Sequence, residues 1–110
     1  FGVVPEYCND CIITGNFWTF DVDYDRILPQ YLDLVTASNR FRQFCQSASV
    51  GTTGRKYLQE NLFLDNAIPL PDTPVQEELI KGYRDAIEKI IEAEKQKKKA
   101  MADFEKELFN

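Results

Sequence analysis

Apolar positions along this chain change period twice. From Cys11 to Val22 they are β-branched and aromatic, and after a Thr14-Gly15-Asn16 break Phe17, Thr19 and Asp21 alternate with Trp18, Phe20 and Val22. A period of two over so short a run predicts two short strands, or one strand with a bulge, with one face buried. Tyr24 to Arg26 reads as a turn. Pro29 stands where a first helical turn tolerates proline, and Tyr31, Leu32, Leu34 and Val35 follow as a helical stripe. A second helix is predicted over about Ser38 to Ala48, with Phe41, Phe44 and Cys45 on one face and Ser38 or Asn39 as its cap. The Gly and hydroxyl content of "SVGTTGRK", residues 49 to 56, predicts an ordered turn or loop. Leu58, Leu62 and Leu64 lead to "NAIPLP", whose prolines exclude a central strand and predict a short edge strand.

From Thr73 to about Phe109 the period becomes helical and nothing stops it except Gly82, at a cost of roughly 1 kcal/mol. Its start is marked heavily. Thr73 can cap, Pro74 has φ already set, Gln76 completes a Thr-x-x-Gln capping box, and Glu77 and Glu78 put negative charge at the positive end of the dipole. Such a helix would reach roughly 50 Å, beyond what a small core can cover. Steps of four and three give Leu79, Tyr83, Ala86, Ile90, Ala93, Lys97, Ala100 and Phe104, with Ile87, Ile91, Met101 and Leu108 on a neighbouring stripe. A heptad-like seam of this length predicts a coiled coil, and alanines spaced by seven permit a close partner helix. No second long helix is predicted within the chain, so the partner comes from elsewhere. The elements together predict an α+β fold in two parts: a small mixed domain over 1–72 and one long coiled-coil helix over 73–110.

The chain has 110 residues, 44% of them hydrophobic, and a net charge of −5, which argues against a generally basic nucleic-acid coat. The distribution is less uniform. Residues 1–39 hold one Arg and six acids, whereas Arg40, Arg42, Arg55 and Lys56 occupy 40–56 with no acid among them. A local basic patch on an acidic protein can meet phosphate. The run "KQKKKA" at 95–100 is balanced by its surroundings, since residues 76–110 hold eight basic and nine acidic side chains. A solvated coiled-coil surface is the stronger reading of that run. No 18-residue apolar stretch and no signal-like leader is present, and a start at Phe1-Gly2-Val3-Val4 suggests a piece of something longer.

Catalytic signatures are missing. There is no histidine, no phosphate-binding loop, no dinucleotide fingerprint and no nucleophile elbow. Cys8, Cys11 and Cys45 are an odd number, which argues against a secreted disulfide framework and for a reducing, cytoplasmic setting. Cys8-Asn9-Asp10-Cys11 lacks two further ligands for zinc, and its flanks read as a turn entering a strand rather than a redox helix. Asp21, Asp23 and Asp25 alternate as at the start of a calcium loop, without the glycine and distant glutamate that would complete one. No cofactor is expected.

Taken in order, "TGNFWTF" with "ILPQYL", then "GTTG" ahead of a leucine stretch, then "IPLPDTPVQEELI" and a long charged helix resemble the specificity subunit of type I restriction-modification enzymes. The resemblance covers nearly the whole chain and places it as the later part of one target recognition domain followed by a spacer helix. It departs in two ways. A full subunit of that family has two recognition domains and two spacer helices, and Val75 stands where a Glu often precedes the Gln.

The resemblance implies a non-catalytic protein that reads part of a bipartite target on double-stranded DNA. It further implies methyltransferase and restriction subunits as partners, and a second spacer helix or a homodimer along the long helix. Side-chain chemistry then selects Arg55 and Lys56 as DNA contacts, with Thr52 and Thr53 hydroxyls and the Gly54 N–H as phosphate ligands and Arg40 and Arg42 as second choices. The expected helix interface is Leu79, Tyr83, Ala86, Ile87, Ile90, Ala93, Ala100, Met101, Phe104 and Leu108. Two other readings compete: a coiled-coil protein interaction module without DNA binding, and an enzyme fragment completed by another chain.

Overall fold

The computed structural model describes residues 1–51 and 54–110, which divide into two compact units, Phe1–Glu77 and Glu78–Asn110. The described elements are mostly helical: α1 (Pro29–Ala37), α2 (Asn39–Ser47), β1 (Ser49–Val50), β2 (Tyr57–Leu58), α3 (Glu60–Leu64) and α4 (Thr73–Phe109). A single 3₁₀ turn, Glu6–Cys8, precedes them. The strand content of the expected α+β fold shrinks to one antiparallel pair, with Ser49 opposite Leu58 and Val50 opposite Tyr57.

Residues 11–22 correct the sequence expectation, for they form no strand. A turn closes at Gly15-Asn16, where the Phe17 N–H reaches the Thr14 carbonyl at 3.2 Å, and the chain on either side runs without a ladder. Strands need paired neighbours for their N–H and C=O groups, and the described sheet offers this segment none. The period of two survives in the packing. Trp18 and Phe20 lie against Phe63 with ring centroids 5.6 and 5.9 Å away, while Phe17, just before them, is more exposed than either.

The predicted turn at Tyr24 to Arg26 is present. Arg26 and Ile27 N–H groups donate to the Asp23 carbonyl, and the Asp25 N–H donates to Asp23 Oδ1 at 3.1 Å. That bond commits the Asp23 carboxylate to an Asx turn. Both short helices form where their patterns place them. Pro29 is the first residue of α1, and Ser38 ends α1 and begins α2: its Oγ donates to the Val35 carbonyl at 2.6 Å and accepts from the Phe41 N–H at 3.2 Å. One residue thus answers orphan groups at both helix ends.

The segment after β2 holds one element not foreseen and one further correction. Residues Glu60–Leu64 coil into α3. The proline-rich stretch 66–71 makes no edge strand. Pro69 and Pro71 have no N–H to give a ladder, so side chains satisfy carbonyls here instead: Tyr31 Oη donates to the Pro69 carbonyl at 2.7 Å and Gln76 Nε2 to the Pro71 carbonyl at 2.7 Å. The first unit's core is thin. Tyr31, Phe41 and Ala48 are its buried apolar residues, and Phe63 gathers Phe1, Trp18, Phe20 and Phe41 around it.

In the second unit there is only α4, which has 37 residues in all, about 55 Å of helix. Its one ion pair among the described residues is Lys81 Nζ to Asp85 Oδ2 at 3.0 Å, at the i, i+4 spacing. No described helix is long and apolar enough to cross a membrane.

Candidate functional site

Two glycines shape the connection between β1 and β2. A Cβ on Gly51 would collide with the Arg55 carbonyl, so only glycine lets the two backbones approach here. Gly54 has φ +94°, a left-handed conformation that side chains disfavour. Arg55 and Lys56 follow Gly54 directly, and both are exposed. Thr52 and Thr53, proposed as hydroxyl ligands, lie outside the described residues.

Arg40 and Arg42 are exposed in the first turns of α2. No acid offsets Arg40 in that turn, where a cation opposes the helix dipole by some tenths of a kcal/mol. Among the described residues neither arginine, nor Arg55, nor Lys56 makes a salt bridge. The four basic residues therefore divide into two pairs, one on α2 and one in the β1–β2 connection, with no hydrogen bond joining the pairs among the described residues.

Cys45, on α2, is half-buried, and burial pushes its thiol pKa up, with a smaller opposing pull from the Phe1 ammonium. Beside it Phe1, Thr36, Ala37 and Arg42 line a shallow depression of about 310 Å³. Cys8 and Cys11 carry free thiols on a turn in which the Cys11 N–H donates to the Cys8 carbonyl at 3.1 Å and Asp10 takes φ +66°. Among the described residues no three His, Cys, Asp or Glu side chains converge as metal ligands would.

The expected helix interface is exposed along the second unit. Leu79, Tyr83, Ile87, Ile90, Met101, Phe104 and Leu108 all face solvent, as do Ala86, Ala93 and Ala100 between them. Isolated apolar residues at a surface need no explanation, whereas apolar residues gathered along one helix make that face a candidate contact surface.

Gln76 is the residue that motif reading misplaced. The capping-box expectation sends its side chain back to Thr73. Instead the first helical bonds run to Asp72, whose carbonyl accepts from Val75 and Gln76, so the helix begins one residue earlier. The Gln76 side chain, fully buried, accepts from the Leu28 N–H at 2.9 Å and donates to the Arg26 carbonyl at 2.9 Å and to the Pro71 carbonyl. A primary amide has both an acceptor and two donors, which is the set that three loose backbone groups require. The signal in the sequence was the pair of upstream prolines, which leave carbonyls without ladder partners.

Compared with protein families, with curated proteins and with solved structures, the chain matches none.

Proposed function

We propose that this chain is the DNA-reading part of a type I restriction-modification specificity subunit, a component that selects sequence and scaffolds methyltransferase subunits without doing chemistry itself. In this reading the exposed Arg55 and Lys56 contact the duplex, and Arg40 and Arg42 support them from α2. Helix α4 is the spacer that sets a distance along DNA, and its exposed stripe packs on a second spacer helix.

The observation that carries this reading is Gln76. A spacer can measure distance only if its first turn cannot slip, and Gln76 ties that turn to residues 26–28 and 71 by three hydrogen bonds with no exposure of the side chain. An unanchored linker to a coiled coil has no need of such a lock. The long exposed stripe on α4 also favours a second reading, a protein interaction module that does not bind DNA.

The test is duplex binding by the chain, alone and with the methyltransferase subunit from the same source, across a salt series. Sequence-selective affinity that falls steeply with salt supports the specificity-subunit reading. Self-association with no response to DNA or to the methyltransferase subunit sinks it in favour of the interaction module.

A further inference from the structure

Cys8, Asn9, Asp10 and Cys11 form one closed turn. Asn9 stands at φ −56° and ψ 140° and Asp10 at φ +66°, the pattern of a type II β-turn, and the Cys11 N–H donates to the Cys8 carbonyl at 3.1 Å. The turn is held from behind as well. The Cys8 N–H donates to the Pro5 carbonyl at 2.9 Å and the Asn9 N–H to the Glu6 carbonyl at 3.1 Å, so bonded backbone runs from Pro5 to Cys11. Asp10 fills the place where a type II turn favours glycine, and Asp is among the few side chains that tolerate the left-handed conformation there.

A β-turn brings its first and fourth Cα atoms within about 7 Å, and a disulfide spans Cα atoms about 4.4 to 6.8 Å apart. Backbone bonds alone therefore hold the two cysteines within bridging reach. Both carry free thiols, Cys11 exposed and Cys8 half-buried, whereas Cys45 lines a separate depression with Phe1 and Arg42. We propose that Cys8 and Cys11 are a reversible redox pair, closed to a disulfide by a low-molecular-weight disulfide such as glutathione disulfide and reopened by the corresponding thiol.

Closure takes two exchanges. The exposed Cys11 thiolate attacks one sulfur of glutathione disulfide, whose S–S bond breaks, and one glutathione leaves as its thiolate. The Cys8 thiolate then attacks Cys11 Sγ, forming the Cys8–Cys11 bond and expelling the second glutathione. Two protein thiols lose two protons and two electrons, and one glutathione disulfide takes them up as two glutathiones.

The closed ring holds only Cys8 to Cys11, so its effect is local. It pins Asp10 in the left-handed conformation, on the rim of an open groove of about 1150 Å³ that Cys8, Asn9 and Asp10 share with Trp18, Phe20 and Phe63. The pair uses neither α4 nor the basic residues, so absence of DNA binding would leave it standing.

The full chain, equilibrated in glutathione buffers of graded poise, trapped with N-ethylmaleimide and digested with trypsin, tests it. The first Lys or Arg is Arg26, so the peptide 1–26 carries Cys8 and Cys11 without Cys45. As the poise becomes oxidising, that peptide is expected to lose two hydrogens and to carry neither maleimide nor glutathione. The equilibrium constant is an effective concentration of one thiol at the other, and it should be at least about 10-fold higher for the folded chain than in concentrated urea, where the turn is lost. Asp10→Pro forbids the left-handed φ and should lower the constant toward the urea value, whereas Asp10→Gly should preserve it. Cys8→Ser should leave glutathione trapped on Cys11. Glutathione retained on the wild-type peptide, a bridge to Cys45 or to a second copy in place of closure, or the same constant in native buffer and in urea overturns the proposal, as do equal constants for Asp10→Pro and Asp10→Gly.

Discussion

Gln76 Oε1 accepts the Leu28 N–H at 2.9 Å, so the first turn of α4 and the entry to α1, 48 residues apart in sequence, share one hydrogen bond. The amide nitrogen of the same side chain closes on Arg26 and Pro71, and three chain segments meet at a single buried residue.

Replacement of Gln76 should therefore be costly out of proportion to its size. Gln76→Ala strands one N–H and two carbonyls, and a loss of about 3 kcal/mol is expected, read as the shift in urea midpoint. Gln76→Glu keeps the bond from Leu28 but turns an acceptor toward two carbonyls, so it should not rescue at neutral pH. A loss under about 1 kcal/mol for Gln76→Ala would show that water replaces the amide.

Gly51→Ala drives a Cβ into the Arg55 backbone, and a backbone carbonyl cannot swing aside as a flexible side chain can. Destabilisation of roughly 1–3 kcal/mol is expected, with disturbance of β1 and β2. Gly15→Ala, where nothing lies within 4 Å, serves as the control and should be near neutral. Equal stabilities for the two variants, by thermal melts, would contradict the close approach.

Arg55→Ala with Lys56→Ala should weaken binding to all duplexes and flatten the salt dependence, each lost phosphate contact lowering the slope by about 0.9. A base contact behaves otherwise: its loss costs about 1–3 kcal/mol at one position of the target. Arg40→Ala with Arg42→Ala tests the α2 pair in the same titration. Unchanged affinity and slope for Arg55→Ala/Lys56→Ala would remove the β1–β2 connection from the interface.

Thiol modification should separate the cysteines. Cys11 is exposed, whereas Cys45 is half-buried with its pKa raised by that burial. Iodoacetamide should thus modify Cys45 last, at a rate that climbs with pH beyond the ordinary thiol range. The linkage has one sign. A raised folded pKa means the unfolded chain ionises first, so the contribution of Cys45 to stability is present below the ordinary thiol pKa and is lost as pH rises. Modification of Cys45 as fast as Cys11 would contradict its burial.

Local rules were sufficient for much of the chain. Pro29 opening α1, the turn before it, Ser38 as a cap and the unbroken run of α4 depend on neighbours within a few residues, and each is where short-range chemistry places it. The glycines and cations of the β1–β2 connection were also legible, because a left-handed residue and a close approach both require glycine. What the sequence could not determine is what depends on distant partners. Residues 11–22 have strand composition, yet a strand exists only if another lies beside it, and here the aromatic face finds Phe63 instead of a ladder. Gln76 satisfies a local capping motif on paper, but its amide is drawn away by three backbone groups that proline chemistry and the turn at 23–26 leave open, one of them 50 residues distant. Periodicity reports which face of an element is apolar. Only the tertiary structure decides what covers that face, because hydrogen-bond partners are chosen by proximity in space.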